Sequence, residues 1–297
     1  MSKSESAATG VDFVALMPAV FVLIWSTGFV VARLGMPHAP AITFLCWRYA
    51  LSLLGLAVWA LWARASWPAS GRAWLHLSIT GVLLQAGYLG GVWSAIKLGL
   101  SAGTTALIVC LQPVLTAMFL EWRGGRGRAR PIQWLGLVCG LAGVLVVVWD
   151  KLSLGQAHAL NLGLAFLALL SITAGTLYQM LNVGPTDVRT AGVAQMAAAL
   201  VVSLPVAWLE NEPTVWHADM VVAMAWSVLA LTMGASSLLY LLIQRGAAMN
   251  VASLFYLVPP CTAVMAWALF GEPLGWGLLL GFGLAALGVA IVQWAPH

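Results

Sequence analysis

Residues 106–117 (ALIVCLQPVLTA) return 146 positions later as residues 252–263 (ASLFYLVPPCTA), so that Ala106, Leu111, Pro113, Thr116 and Ala117 meet Ala252, Leu257, Pro259, Thr262 and Ala263. The next segment repeats at an offset of 145: Gly136, Gly140, Gly143, Val144 and Trp149 meet Gly281, Ala285, Gly288, Val289 and Trp294. Two consecutive apolar segments that recur in order at nearly one offset indicate an internal duplication. What that duplication means depends on how many segments each half contains.

A helix needs about 20 apolar residues at ~1.5 Å each to cross a hydrocarbon core of about 30 Å. Runs of that kind occupy 11–32, 39–62, 73–96, 101–121, 131–149, 159–181, 190–209, 219–243, 249–270 and 275–294. The expected fold is therefore all-α, with ten transmembrane helices in two five-helix halves, residues 11–149 and 150–297, after a disordered Ser- and Ala-rich stretch at 1–10. An odd number of crossings per half turns the second half upside down relative to the first. The first run exceeds the 7–15 residues of a signal-peptide core and lacks a small-residue cleavage site, so it reads as a retained helix.

Composition agrees. The chain of 297 residues is 62% hydrophobic and 7% charged, against about 25% charged in soluble domains, so it lacks the polar surface that water demands. The cluster Arg123, Arg126, Arg128 and Arg130 lies between two apolar runs. There it marks a cytoplasmic loop rather than a nucleic-acid partner. With the N-terminus inside, the inner segments hold Lys3, Arg64, Arg72, Arg189 and Arg245 as well, and the outer ones only Arg33, Lys97 and Lys151. Both termini are thus expected in the cytoplasm, in a cell or inner membrane. Trp62, Trp74, Trp134, Trp149, Trp208, Trp276 and Trp294 fall near span ends, where amphipathic rings anchor to the interface.

Inverted repeats are a device of secondary transporters, which hold a small solute near the midplane between the halves. The chain resembles the drug/metabolite transporter superfamily, in particular its EamA-like group. The resemblance is carried by Trp25-Ser26-Thr27-Gly28, Arg48-Tyr49, the segment from Ala106 to Pro113, Pro259, Phe270-Gly271-Glu272-Pro273-Leu274 and the stretch Gly281 to Val289. It departs where Ser171-Ile172-Thr173 replaces the Trp-Ser-Thr of the first half. The likeness implies a ten-helix exporter of amino acids or related small metabolites. A broad exporter of lipophilic cations and a membrane scaffold or sensor that transports nothing are the other readings.

Arg48 is the basic residue well inside a span, where a charge costs several kcal/mol unless satisfied. It is either held by backbone carbonyls, Ser52 or a Tyr, or faces a cavity and meets a substrate carboxylate. Polar residues at helical spacing mark candidate water-lined faces: Ser78, Gly81, Gln85 and Tyr88 on the third span, Ser171, Gly175 and Tyr178 on the sixth, Ser237, Tyr240 and Gln244 on the eighth. Trp25, Ser26 and Thr27 add to them from the first. Hydrogen bonding between helices explains any one of these equally well. The substrate-binding set expected from them is Trp25, Arg48, Gln85, Tyr88, Tyr178, Tyr240 and Gln244. Pro113 and Pro259, at matching places in helices four and nine, are kinks or hinges. Glu272 is placed to orient the last helix.

Other classes find little support. Gly99-Leu100-Ser101-Ala102-Gly103 fits a serine-nucleophile expression, but that expression needs a strand before it and a base beside it. The five His lie in or near loops, the four Cys are widely spaced, and there is no His-Glu-x-x-His or phosphate-loop motif. Neither cofactor, metal nor ATPase subunit is expected. The expected partners are a small-molecule substrate and the lipid bilayer.

Overall fold

The computed structural model describes residues 13–123, 131–153, 155, 157–235, 238 and 257–294. The expected disordered N-terminus lies outside these residues. Ten helical spans are found among them: α1 (Phe13–Gly35), α2 (Ala41–Trp62), α3 (Gly71–Lys97), α4 (Ala102–Val109 and, after a break, Gln112–Trp122), α5 (Pro131–Ser153), α6 (Ala159–Asn182), α7 (Val188–Ala207), α8 (Ala218–Ala235), α9 (Val258–Phe270) and α10 (Trp276–Trp294). Local chemistry sets several of the ends. Ser70, Ser101 and Asp187 accept from backbone N–H groups at the starts of α3, α4 and α7. Gly271, at φ 66°, takes the left-handed conformation that ends α9, which a residue with a Cβ adopts only at a cost.

Packing obeys a two-fold plan. α5 lies on α10 and α2 on α7; α3 touches α6 and α7 as α8 touches α1 and α2; α4 touches α6 and α9 as α9 touches α1 and α4. Every one of these pairings has its counterpart five helices on, as two inverted copies require. Glycine makes the tightest of them possible. A Cβ on Gly143 of α5 would stand 2.6 Å from the carbonyl oxygen of Gly281 on α10, and Gly288 faces the backbone of Gly136 and Gly140. In lipid, where helices gain no hydrophobic drive from association, such close backbone contact supplies the attraction. Trp62, Trp122, Trp149, Trp208 and Trp276 are all largely exposed at helix ends.

Two features lay outside the periodicity. Residues 82–87 of α3 and 227–235 of α8 wind as π-helix, and the two stretches start 145 residues apart. Each extra residue per turn rotates the remainder of the helix and frees a carbonyl. Tyr49 donates from its hydroxyl to Gln85 O at 2.8 Å, and Thr232 from Oγ1 to Ser227 O at 3.0 Å. Pro113 breaks α4 rather than merely bending it. The helix stops at Val109, whose carbonyl lies four residues before the ring and would clash with it. Pro259 sits in the first turn of the described part of α9.

Candidate functional site

A cavity of about 580 Å³ lies between the halves, within the ~300–1,000 Å³ typical of small-molecule sites. The first half contributes Trp25 and Phe29 from α1, Arg48 from α2, Gln85, Tyr88 and Trp93 from α3, and Gln112 and Pro113 from α4. The second contributes Ile172, Thr176 and Gln179 from α6, Met196 from α7, Leu231 and Thr232 from α8, and Pro259 from α9. Both π-helical stretches therefore supply wall, through Gln85 and Thr232. No Asp or Glu belongs to the wall among the described residues.

Arg48 is buried at 6% exposure. Its Nη2 donates to Thr232 Oγ1 at 3.4 Å, and its guanidinium carbon lies 6.0 Å from the centroid of the Trp93 ring. Its Nε has no hydrogen-bond partner among the described residues, nor has the hydroxyl of nearby Ser52. A long hydrogen bond and a distant ring leave the charge under-compensated, so donors remain available to an anion entering the cavity.

One end of the cavity is closed by described residues. Toward the ends of α1 and α3 it is floored by Phe29 and Trp93, with Phe44 stacked on Trp93 at 4.5 Å. Beyond them polar links tie the halves together. Glu210, in the loop after α7, accepts from Ile42 N at 2.9 Å, Thr43 N at 2.7 Å and Thr43 Oγ1 at 2.8 Å. It caps α2, whose own N-cap is Pro40 and offers no side-chain acceptor. Lys97 donates to the carbonyls of Met36 and Ala39 at 2.9 and 3.3 Å and pairs with Glu212. Arg33 pairs with Glu272 at 3.5 Å, so Glu272, expected to orient the last helix, reaches back to α1. In the other direction the wall runs along α6 to Gln179, Met180 and Val183, the last being the residue that ends the helix.

Of the seven residues expected from sequence, Trp25, Arg48, Gln85 and Tyr88 meet in this cavity. Tyr178 is absent from its wall and instead hydrogen-bonds His76 Nδ1 through its hydroxyl at 2.8 Å. Tyr240 and Gln244, with Ser237, lie outside the described residues. The face chosen on α6 is the one that packs on α3: a Cβ on Gly175 would meet Leu84, and Ser171 lies against Gly87. The cavity takes the neighbouring face, Ile172, Thr176, Gln179 and Val183, whose spacing is equally helical. Gly81 likewise packs on the backbone of Gln195 in α7. Trp93, Gln112, Thr176, Gln179 and Thr232 were missed. Ser101 of the serine-nucleophile expression is the N-cap of α4, accepting from Thr104 N at 3.2 Å.

The EamA-like transporter family matches residues 12–149 and again 160–294. An uncharacterized transporter of Archaeoglobus fulgidus is 24% identical over 95% of this chain and 98% of its own length. The uncharacterized inner membrane transporter YedA of Escherichia coli is 28% identical over 93% of this chain and 88% of its own. A solved crystal structure superposes with a TM-score of 0.62 at 18% identity, over 93% of this chain and 96% of that one; at that identity the likeness concerns the fold.

Proposed function

This chain belongs to the EamA-like transporter family, a multi-pass membrane transporter, and on that premise we propose that it exports small carboxylated solutes, amino acids or related metabolites, by alternating access. The observation that carries the substrate class is Arg48, a buried guanidinium with an unpartnered Nε on the wall of a cavity without described carboxylates. A solute carboxylate would neutralise it, while Trp25, Tyr88 and Trp93 would hold an apolar part against their rings. Gln85, Gln112 and Gln179 offer amide donors and acceptors for the remaining polar groups. A lipophilic-cation exporter would bring positive charge beside Arg48 with nothing in the described wall to balance it, and a scaffold has no use for the cavity.

The closure of one end of the cavity supports a step of the cycle. The floored end carries Arg33 and Lys97, which the distribution of Lys and Arg assigns to the outside. With both termini cytoplasmic, the floored end is the outer one, and export requires the links through Glu210, Lys97 and Arg33 to part. Alternate opening and closing of the ends, driven by a gradient or run downhill, completes the cycle.

The test is a thermal-shift screen of detergent-purified protein against amino acids, other carboxylated metabolites and lipophilic cations, followed by flux in proteoliposomes. Ligands stabilise the state they bind by mass action. Carboxylates that raise the midpoint and are carried across the membrane are the expected result. Stabilisation by cations alone, or no flux of any stabilising carboxylate, would overturn the reading.

A further inference from the structure

At the floored end, the turn between α1 and α2 is joined to the loop leading into α8, where Val215 N donates to His38 O at 2.7 Å. That bond brings a side chain of the first half against two of the second. The imidazoles of His38 and His217 stack, with centroids 4.6 Å apart and planes 14° from parallel. Asp219 Oδ2 lies 3.7 Å from His38 Nε2 and 3.4 Å from His217 Nδ1. One nitrogen of each ring and one carboxylate oxygen all fall within 4.8 Å of one another.

Two imidazoles and a carboxylate are borderline donors of the kind that select Zn²⁺ and its transition-metal neighbours over Mg²⁺ or Ca²⁺. A tetrahedral Zn²⁺ with bonds of about 2.0–2.1 Å sets its ligand atoms ~3.3 Å apart. The two separations to Asp219 are already close to that value. Gathering all three requires the two rings to unstack, and His217, whose side chain is 55% exposed, has room to rotate. His217 also caps α8 by accepting from Asp219 N at 3.3 Å, a long bond that rotation gives up easily. Water would fill the fourth position. The backbone beneath one ligand of each half is fixed, that of His38 through its own carbonyl and that of Asp219 by the first turn of α8.

We propose that His38, His217 and Asp219 bind a divalent transition metal of the zinc class, with ligands drawn from both halves, and that the bound ion straps this end of the molecule shut. The strap's consequence for export rests on the alternating-access reading, but the site does not, so binding is measured without any transported solute. Full-length purified protein, stripped with a chelator, is titrated calorimetrically with zinc chloride. We expect one equivalent with micromolar affinity, weakened at least tenfold in both His38→Gln and Asp219→Asn. Unchanged affinity and stoichiometry in the variants would overturn the site. Asp219 is half exposed, so the second variant reports even where His38→Gln disturbs the turn. Hydrogen exchange measured with and without zinc chloride should slow at 36–43 and 209–219 in the wild type alone. Zinc bound with no slowing at those residues would overturn the strap.

Discussion

Replacing Arg48 with Met should make the unliganded protein more stable while removing its response to carboxylates. A charged side chain amid membrane helices costs roughly 2.5–3.5 kcal/mol. Against that stand one hydrogen bond to Thr232 at the long limit of 3.4 Å, on the order of 1 kcal/mol, and a guanidinium 6.0 Å from the Trp93 centroid, worth about 0.5–1 kcal/mol. The unpartnered Nε adds nothing favourable. About 0.5–2 kcal/mol is therefore left against the folded state. Met preserves most of the volume and removes the charge, so no large cavity offsets the gain; replacing an under-compensated buried charge by a packed apolar group is often stabilising. The assay is thermal unfolding in detergent, without ligand and then across the carboxylate panel. The expected result is a midpoint higher by roughly 1–3 °C and a flat response to every carboxylate that shifts the wild type. A midpoint several degrees lower would refute the reasoning and make Arg48 a structural tie.

Glu210→Ala should lower the unfolding midpoint, since three hydrogen bonds to the start of α2 are lost. A charged cap of this kind contributes on the order of 1–3 kcal/mol, and Glu210→Gln, which keeps an acceptor oxygen, should lose less in the same melt. Gly91→Leu should abolish monodisperse protein in size-exclusion chromatography, because a Cβ there stands 2.6 Å from Leu164 O and 2.9 Å from Ala168 Cβ; Gly163→Ala, with nothing within 4 Å, should elute as the wild type does. Asp187 is held below its ordinary 3.8, chiefly by the side-chain hydrogen bond from Arg189. A depressed carboxylate gives stability that is present above 3.8 and is lost as pH falls through the lower folded value. Melts between pH 2.5 and 6 should show that loss in the wild type and a shallower one in Asp187→Asn; identical slopes would exclude it.

The sequence by itself determined the architecture. Helices that cross lipid must satisfy their own backbone and cover it with apolar residues, so their positions are written as uninterrupted runs. The observed limits depart from those runs by a few residues where a helix is fully described, as at α3 (Gly71–Lys97 against 73–96). The duplication was legible because close backbone approach between α5 and α10 demands glycines there and tolerates few alternatives, and because Pro113 and Pro259 recur at one place in α4 and α9. Arg48 was legible too, as a charge in an apolar run.

Facing was not legible on α6, for a physical reason. Ser171, Gly175 and Tyr178 and the adjacent set Ile172, Thr176 and Gln179 have the same period. Which set meets the cavity depends on how close α3 lies, and that depends on Gly87 and Gly175. The π-helical turns at 82–87 and 227–235 are likewise stabilised by contacts from elsewhere, such as Tyr49 on Gln85. Trp93 and Thr232 reach Arg48, Glu210 reaches α2, and His38 reaches His217 and Asp219 only because distant segments are folded together. Local spacing fixes where a helix runs and what its surface offers. Only tertiary packing decides which of its faces meets a solute and which meets another helix.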